Sequence, residues 1–159
     1  VQNICSALSN LDAQNADLYQ QNTQLYLAQL DALDEAFRNV VAQGRRTEMI
    51  FGSPFSLYYF TQRYGLSYEA AFDSCTGESE PSVATLVHLI EHIKQAQIPV
   101  VYITELSDPK IAQSISEETG AEILLFHACH NVSKEDFQNG FSYLSLMWQN
   151  VEHLKKGLQ

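Results

Sequence analysis

"IPVVYITELSDPKIAQSISEETGAEILLF", residues 98–126, decides the fold. Its two ends, "IPVVYITE" (98–105) and "AEILLF" (121–126), carry the short runs "VVYI" and "ILLF", which are apolar at every position. A strand facing solvent on one side alternates apolar and polar residues, so unbroken runs predict strands covered on both faces. Between them Asp108 and Pro109 suit the N-cap and first turn of a helix over 108–119. Strand, helix and strand in this order imply a parallel pair, with the helix crossing over one face.

The same alternation extends outward. "TEMIFG" (47–52) and "SYEAAFDSC" (67–75) read as two further strands, and helices are expected near 55–64, 82–96 and 134–157. Pro81 marks the start of one helix, and Ser133 with Asp136 fits the S-x-x-D/E capping pattern of another. Upstream, Tyr19, Tyr26, Leu30, Leu33, Phe37, Val40 and Val41 recur mostly every three or four residues, the repeat of one long helix over 16–43. Gly44 is placed to end it. The fold class is therefore α/β: a four-stranded parallel sheet flanked by helices and preceded by a long backbone helix.

Composition narrows the function. The chain has 159 residues, enough for one domain to bury a core without disulfides or metal. Nine Lys and Arg against nineteen Asp and Glu give a net charge of -10, which argues against nucleic acid and against an anionic membrane surface, both of which need basic side chains. Acidic surfaces attract cations, although most simply keep a protein in solution. Cys5, Cys75 and Cys129 are odd in number and form no C-x-x-C pair, so they encode neither a zinc knuckle nor a disulfide framework. No apolar run has the length of a membrane span, and "VQNICSALSNLDAQN" lacks the order of a signal peptide, so an exported parent would carry its targeting segment elsewhere.

Open parallel sheets bind ligands beyond the carboxyl ends of their strands. The loops there are "GSPF" (52–55), "CTGESEPS" (75–82), "ELSDPK" (105–110) and "HACHNVS" (127–133). They bring Glu78, Glu80, Glu105, His127, Cys129 and His130 to one rim, with Ser53 beside them. Imidazole, thiolate and carboxylate are ligands for zinc, and carboxylate also suits manganese. The plainer alternatives are a hydrogen-bonded rim histidine, acidic side chains at a helix N-terminus, and a cysteine that packs.

No G-x-S-x-G elbow, P-loop or G-x-G-x-x-G is present, which leaves a thiol enzyme using Cys129 beside His130 as the enzymatic reading. His88 and His92, at i and i+4, could clamp a metal on a helix. They lack the glutamate of H-E-x-x-H, and a solvated face is their ordinary reading, while His153 also sits in a helical pattern.

Four stretches carry a family resemblance: "NLDAQNADLYQQNTQLYLAQLDALD", "YYFTQRYGLSYEAAF", the long segment from "SEPSVATLVHLIEHIKQAQ" through "AEILLF", and "GFSYLSLMWQNVEHLKKGL". Together they resemble the C-terminal half of the zinc- and manganese-binding solute-binding proteins of bacterial ABC transporters. The landmarks are the Asp- and Asn-rich helix start followed by a tyrosine, "Y-F-x-x-R-Y-G-L", "S-E-P-S" and "Y-L-x-x-M-x-x-N-x-x-x-L".

The resemblance implies two α/β lobes joined by a rigid helix, with the metal between them. On this view residues 1–46 are the backbone helix region and 47–159 the C-terminal lobe, while the N-terminal lobe, usual source of two histidine ligands, lies outside this sequence. Of the second lobe's two usual ligands, the one opening the helix that ends in "YGL" falls on Pro54 beside Ser53, neither of them a strong donor. The other, an Asp after the last strand, is replaced by His127, an exchange that favours zinc over manganese. Glu105 matches a cleft or supporting carboxylate, and Glu78 or His130 are further candidates to fill the gap. The implied function is extracytoplasmic capture of zinc, with manganese as the alternative, for an ABC permease, without catalysis. A metal-free adhesin or interaction module on the same fold is the second reading.

Overall fold

The four expected strands pair into one sheet: β1 (Glu48–Pro54), β2 (Ser67–Phe72), β3 (Val100–Ile103) and β4 (Glu122–Leu125), in the order β2-β1-β3-β4 with every pairing parallel. The molecule is described here by a computed structural model covering residues 1–72 and 81–159. Ile50 lies opposite Val101, and Val101 opposite Ile123, so one face of the sheet is a continuous apolar row. With Ala71 this row meets Leu89 and Ile93 of α4 (Val83–Ala96) and Ala112 and Ile115 of α5 (Lys110–Thr119) in one buried cluster. Gly52 lets α5 come this close, because a Cβ there would lie 2.6 Å from the Ala112 Cβ.

The residues between them point to the other face, where the rings are larger. Phe51 and Phe126 each lie with their ring centroid 5.5 Å from that of Tyr102. Strands β1, β3 and β4 are covered there by α7 (Tyr143–Leu158), whose Val151, Leu154 and Leu158 are buried. The Tyr102 hydroxyl donates to the His153 carbonyl at 3.2 Å and lies over Gly157, where any Cβ would collide with it.

The chain separates into two compact units, Val1–Ala36 and Phe37–Gln159. The first holds α1 (Gln2–Leu11), a 3-10 turn (Ala13–Asn15) and the start of α2 (Ala16–Gln43). Its turn is fixed by Asp12, whose carboxylate accepts from Asn15 and from the Tyr19 hydroxyl, each at 2.8 Å. The second holds the sheet, and in it Phe37 packs edge-on against Phe60 of α3 (Tyr58–Tyr64) at 5.0 Å. Among the described residues no helix is long and apolar enough to cross a membrane.

The expected α/β class and the 16–43 helix are present. The segment expected as one helix over 134–157 is instead two, α6 (Lys134–Gln138) and α7. Gly140 adopts a left-handed φ of 75° between them, and Ser142 and Ser145 form a capping box that starts α7 afresh. Helix α3 begins at Tyr58 rather than 55, because β1 continues to Pro54. Helix α5 begins at Lys110: Pro109 is the N-cap, and the Asp108 carboxylate accepts the Lys110 amide at 3.0 Å. Helix α1 was not among the expected elements, although Ile4, Leu8 and Leu11 have helical spacing. The part of the second expected strand beyond 72 lies outside the described residues.

Candidate metal centre

From β1 the chain goes first to β2 on one side and then, through α4, to β3 on the other. The strand order therefore reverses between β1 and β3, which makes their carboxyl ends the natural crevice. There Ser53 is fully buried and its hydroxyl accepts the Thr104 amide at 3.1 Å. Thr104 in turn lies 2.8 Å from the Ser107 hydroxyl. Ser53 is thus a clip between two strand ends. Pro54 forms the end of β1, and helix α3 opens on two tyrosines.

Glu105 follows this clip. Its half-buried carboxylate accepts the backbone amides of Ala128 at 2.8 Å, His130 at 2.9 Å and Asn131 at 3.3 Å. Burial alone would raise this carboxyl, but the amides of Ala128, of Glu105 itself, of Asn131 and of His130 outweigh it and hold it below the ordinary glutamate value. The loop after β4 is therefore folded around an ionised carboxylate supplied by the loop after β3. At its centre Cys129 has φ 56°, and Leu106 beside Glu105 has φ 60°. Two of the three non-glycine residues with positive φ among those described lie on this rim, where backbone strain often marks a functional site.

His127 occupies the point where the chain leaves the sheet. Phe126 still donates to Ile103 of β3 at 2.8 Å. One residue later the His127 amide donates to Asn150 Oδ1, and the His127 carbonyl accepts from Asn150 Nδ2, both at 2.8 Å. The Asn150 side chain, fully buried on α7, continues the ladder for one more residue and fixes the direction in which the imidazole leaves the backbone. The His127 side chain is itself buried, and its Nδ1 has no hydrogen-bond partner among the described residues. Burial lowers its pKa, against the nearby Glu105 and Asp136 carboxylates, and so favours the neutral ring. Neutral imidazole is the form that binds metal.

The other rim residues differ. His130 is exposed, and together with Cys129, Val132, Phe141, Tyr143 and Leu146 it lines an open cleft of about 400 Å³. The Cys129 thiol is pushed up to about 11, first by burial and then by the Glu105 charge, so little of it is nucleophilic thiolate near neutrality. Glu78 and Glu80 lie outside the described residues. Asn150 had been visible only as the asparagine of the closing landmark "Y-L-x-x-M-x-x-N", without a role attached to it.

A parallel sheet of this order after a long helix is the fold shared with a solved metal-dependent lipoprotein. Residues 1–157 match the model of the family described as "Zinc-uptake complex component A periplasmic", and the chain belongs to that family. It is 28% identical over 158 residues to the high-affinity zinc uptake system protein ZnuA of Bacillus subtilis, covering 99% of this chain and 49% of that protein. It is also 28% identical over 160 residues to the manganese ABC transporter substrate-binding lipoprotein PsaA of Streptococcus pneumoniae, covering 98% of this chain and 50% of that one. The crystal structure of the metal-dependent lipoprotein YcdH from Bacillus subtilis superposes with a TM-score of 0.82 at 28% identity, over 99% of this chain and 58% of that one. The chain spans about half the length of these curated relatives. The family is one of transport components rather than enzymes.

Proposed function

We propose that this chain is the C-terminal lobe and backbone helix of an extracytoplasmic protein that captures zinc, with manganese as the alternative, and delivers it to an ABC permease. Residues 1–46 are the backbone helix region, 47–159 the metal-site lobe, and an N-terminal lobe completes the site. The observation that carries the reading is His127: a buried imidazole at the strand-end rim, its backbone held by Asn150, with Nδ1 unpaired among the described residues. A buried polar atom without a partner is costly, and coordination to a cation removes the cost. His127 is the direct ligand of this lobe. Glu105 supports it by holding the 127–131 loop, and its negative charge favours a bound cation. His130, Glu78 and Glu80 are the further side chains from which a replacement for the donor missing at Ser53 and Pro54 is drawn. The extracytoplasmic location is supported by the word periplasmic in the family description and by relatives named as lipoproteins. The proposed role is transport without catalysis, and the elevated thiol of Cys129 weighs against a thiol enzyme.

The test is a competitive zinc and manganese titration of the two-lobed protein under reducing conditions, with His127→Ala alongside. Zinc binding weakened more than tenfold in the variant is the expected result. Unchanged affinity rejects His127 as a ligand. No binding by the wild type rejects the transport reading and leaves the metal-free interaction module.

A further inference from the structure

The opposite end of the sheet carries a second group of metal-binding side chains. Glu48 starts β1, and Glu69 lies on β2 opposite Ile50. Side chains two apart on a strand share a face, so Glu48 and Glu69 are diagonal neighbours on the face that also presents Ile50 and Ala71 to α4. On α4, Leu89 and Ile93 enter that core, which leaves His88 and His92 along one flank at i and i+4. His92 Nε2 is 2.8 Å from a Glu48 oxygen, and His88 Nε2 is 3.2 Å from a Glu69 oxygen. The two imidazoles lie nearly parallel, 12° apart, with centroids separated by 6.1 Å. One ligand atom each from Glu48, Glu69 and His92 lie within 4.8 Å of one another.

We infer that Glu48, Glu69 and His92 form a zinc site at the amino end of the sheet, with His88 or a water as fourth ligand. Zinc bonds of 2.0–2.2 Å place tetrahedral ligand atoms roughly 3.3 Å apart. The His92–Glu48 and His88–Glu69 separations already lie close to that value, so small rotations about side-chain bonds complete the set. Donors come from two neighbouring strands and from the helix above them, so the scaffold rather than a loop sets their positions. His92, Glu48 and Glu69 are also only partly exposed, which limits competition from water. Imidazole nitrogen with two carboxylates forms a donor set for zinc, and the site is distinct from the His127 rim at the carboxyl ends. A cation here ties edge strand β2 to β1 and α4.

The test is zinc titration of the full chain against a chromophoric chelator, comparing wild type, His92→Ala, Glu69→Gln and Glu91→Gln, each in a His127→Ala background. One zinc per chain is expected to remain in that background. It should be weakened at least tenfold by His92→Ala and by Glu69→Gln, and by less than twofold by Glu91→Gln, a neighbouring carboxylate outside the group. Cobalt in place of zinc should give the intense visible absorption of a four-coordinate site and lose it in Glu69→Gln. Circular dichroism checks folding, and if His92→Ala is unfolded, Glu69→Gln on the edge strand decides. Absence of zinc in the His127→Ala background, or zinc indifferent to both substitutions, overturns the site and leaves two ordinary histidine–glutamate pairs. Because the readout is a difference among variants at 69, 91 and 92, failure of His127 as a ligand does not affect it.

Discussion

Replacing Asn150 by alanine removes both hydrogen bonds that hold the His127 backbone, leaving a buried amide and a buried carbonyl without partners. An unsatisfied buried polar group costs about 1–3 kcal/mol, so two cost roughly 2–6 kcal/mol, less whatever water enters the space left behind. A whole domain is stable by only about 5–15 kcal/mol, so the variant should fold but be much weakened. Urea unfolding followed by the fluorescence of Trp148, the single tryptophan and a residue of α7, reports on this unit. With an m-value near 2 kcal/mol/M, the midpoint should fall by about 1–3 M with m unchanged. Asn150→Asp tests the mechanism further: it keeps the shape and the acceptor but turns the donor into a second oxygen facing the His127 carbonyl, so it should be no better than alanine at pH 7. A midpoint shift below about 0.3 M in both variants would refute the claim that Asn150 acts as the last rung of the sheet.

Glu105→Gln should lower stability at neutral pH by about 2 kcal/mol, because an amide cannot accept from three backbone N–H groups as a carboxylate does. In the wild type the folded Glu105 carboxyl lies below its ordinary value near 4.5, so the unfolded chain binds the proton more readily. Its contribution is fully present above that value and disappears as pH falls through the folded pKa, and urea unfolding at stepped pH should show a shallower acid slope in Glu105→Gln. Cys129, with its thiol near 11, should react with iodoacetamide at pH 7.5 well below the rate of a free thiol and speed up as pH rises; fast reaction at neutral pH would revive the thiol-enzyme reading.

Much of the architecture is legible from patterns with one physical cause. Runs such as "VVYI" need cover on both faces, and a long three-four repeat needs a helix, so the strand regions and the 16–43 helix lie where the patterns put them, with ends shifted by a few residues. The break between α6 and α7 was harder to see, because Gly140 inside a helical pattern reads either as a tolerated residue or as a stop. At the rim, His127 stood out by its type and its place after a strand. The roles of its neighbours could not be read in the same way. Glu105 reads on paper as a supporting or substitute carboxylate, because a sequence cannot show that its oxygens meet the amides of a loop more than twenty residues later. Asn150 offered an amide with no visible counterpart. The pair His88 and His92 suggested a solvated face until the register of β1 and β2 brought Glu48 and Glu69 to them.

The contact between Gly157 and Tyr102 constrains how this sequence can change over generations. A side chain at 157 would run into the tyrosine hydroxyl and ring, so the first step of any substitution there is closed while Tyr102 remains. A smaller residue at 102 must come first, at the cost of the hydroxyl's bond to the His153 carbonyl. The two positions, 55 residues apart in the chain, therefore form one heritable unit with a fixed order of change.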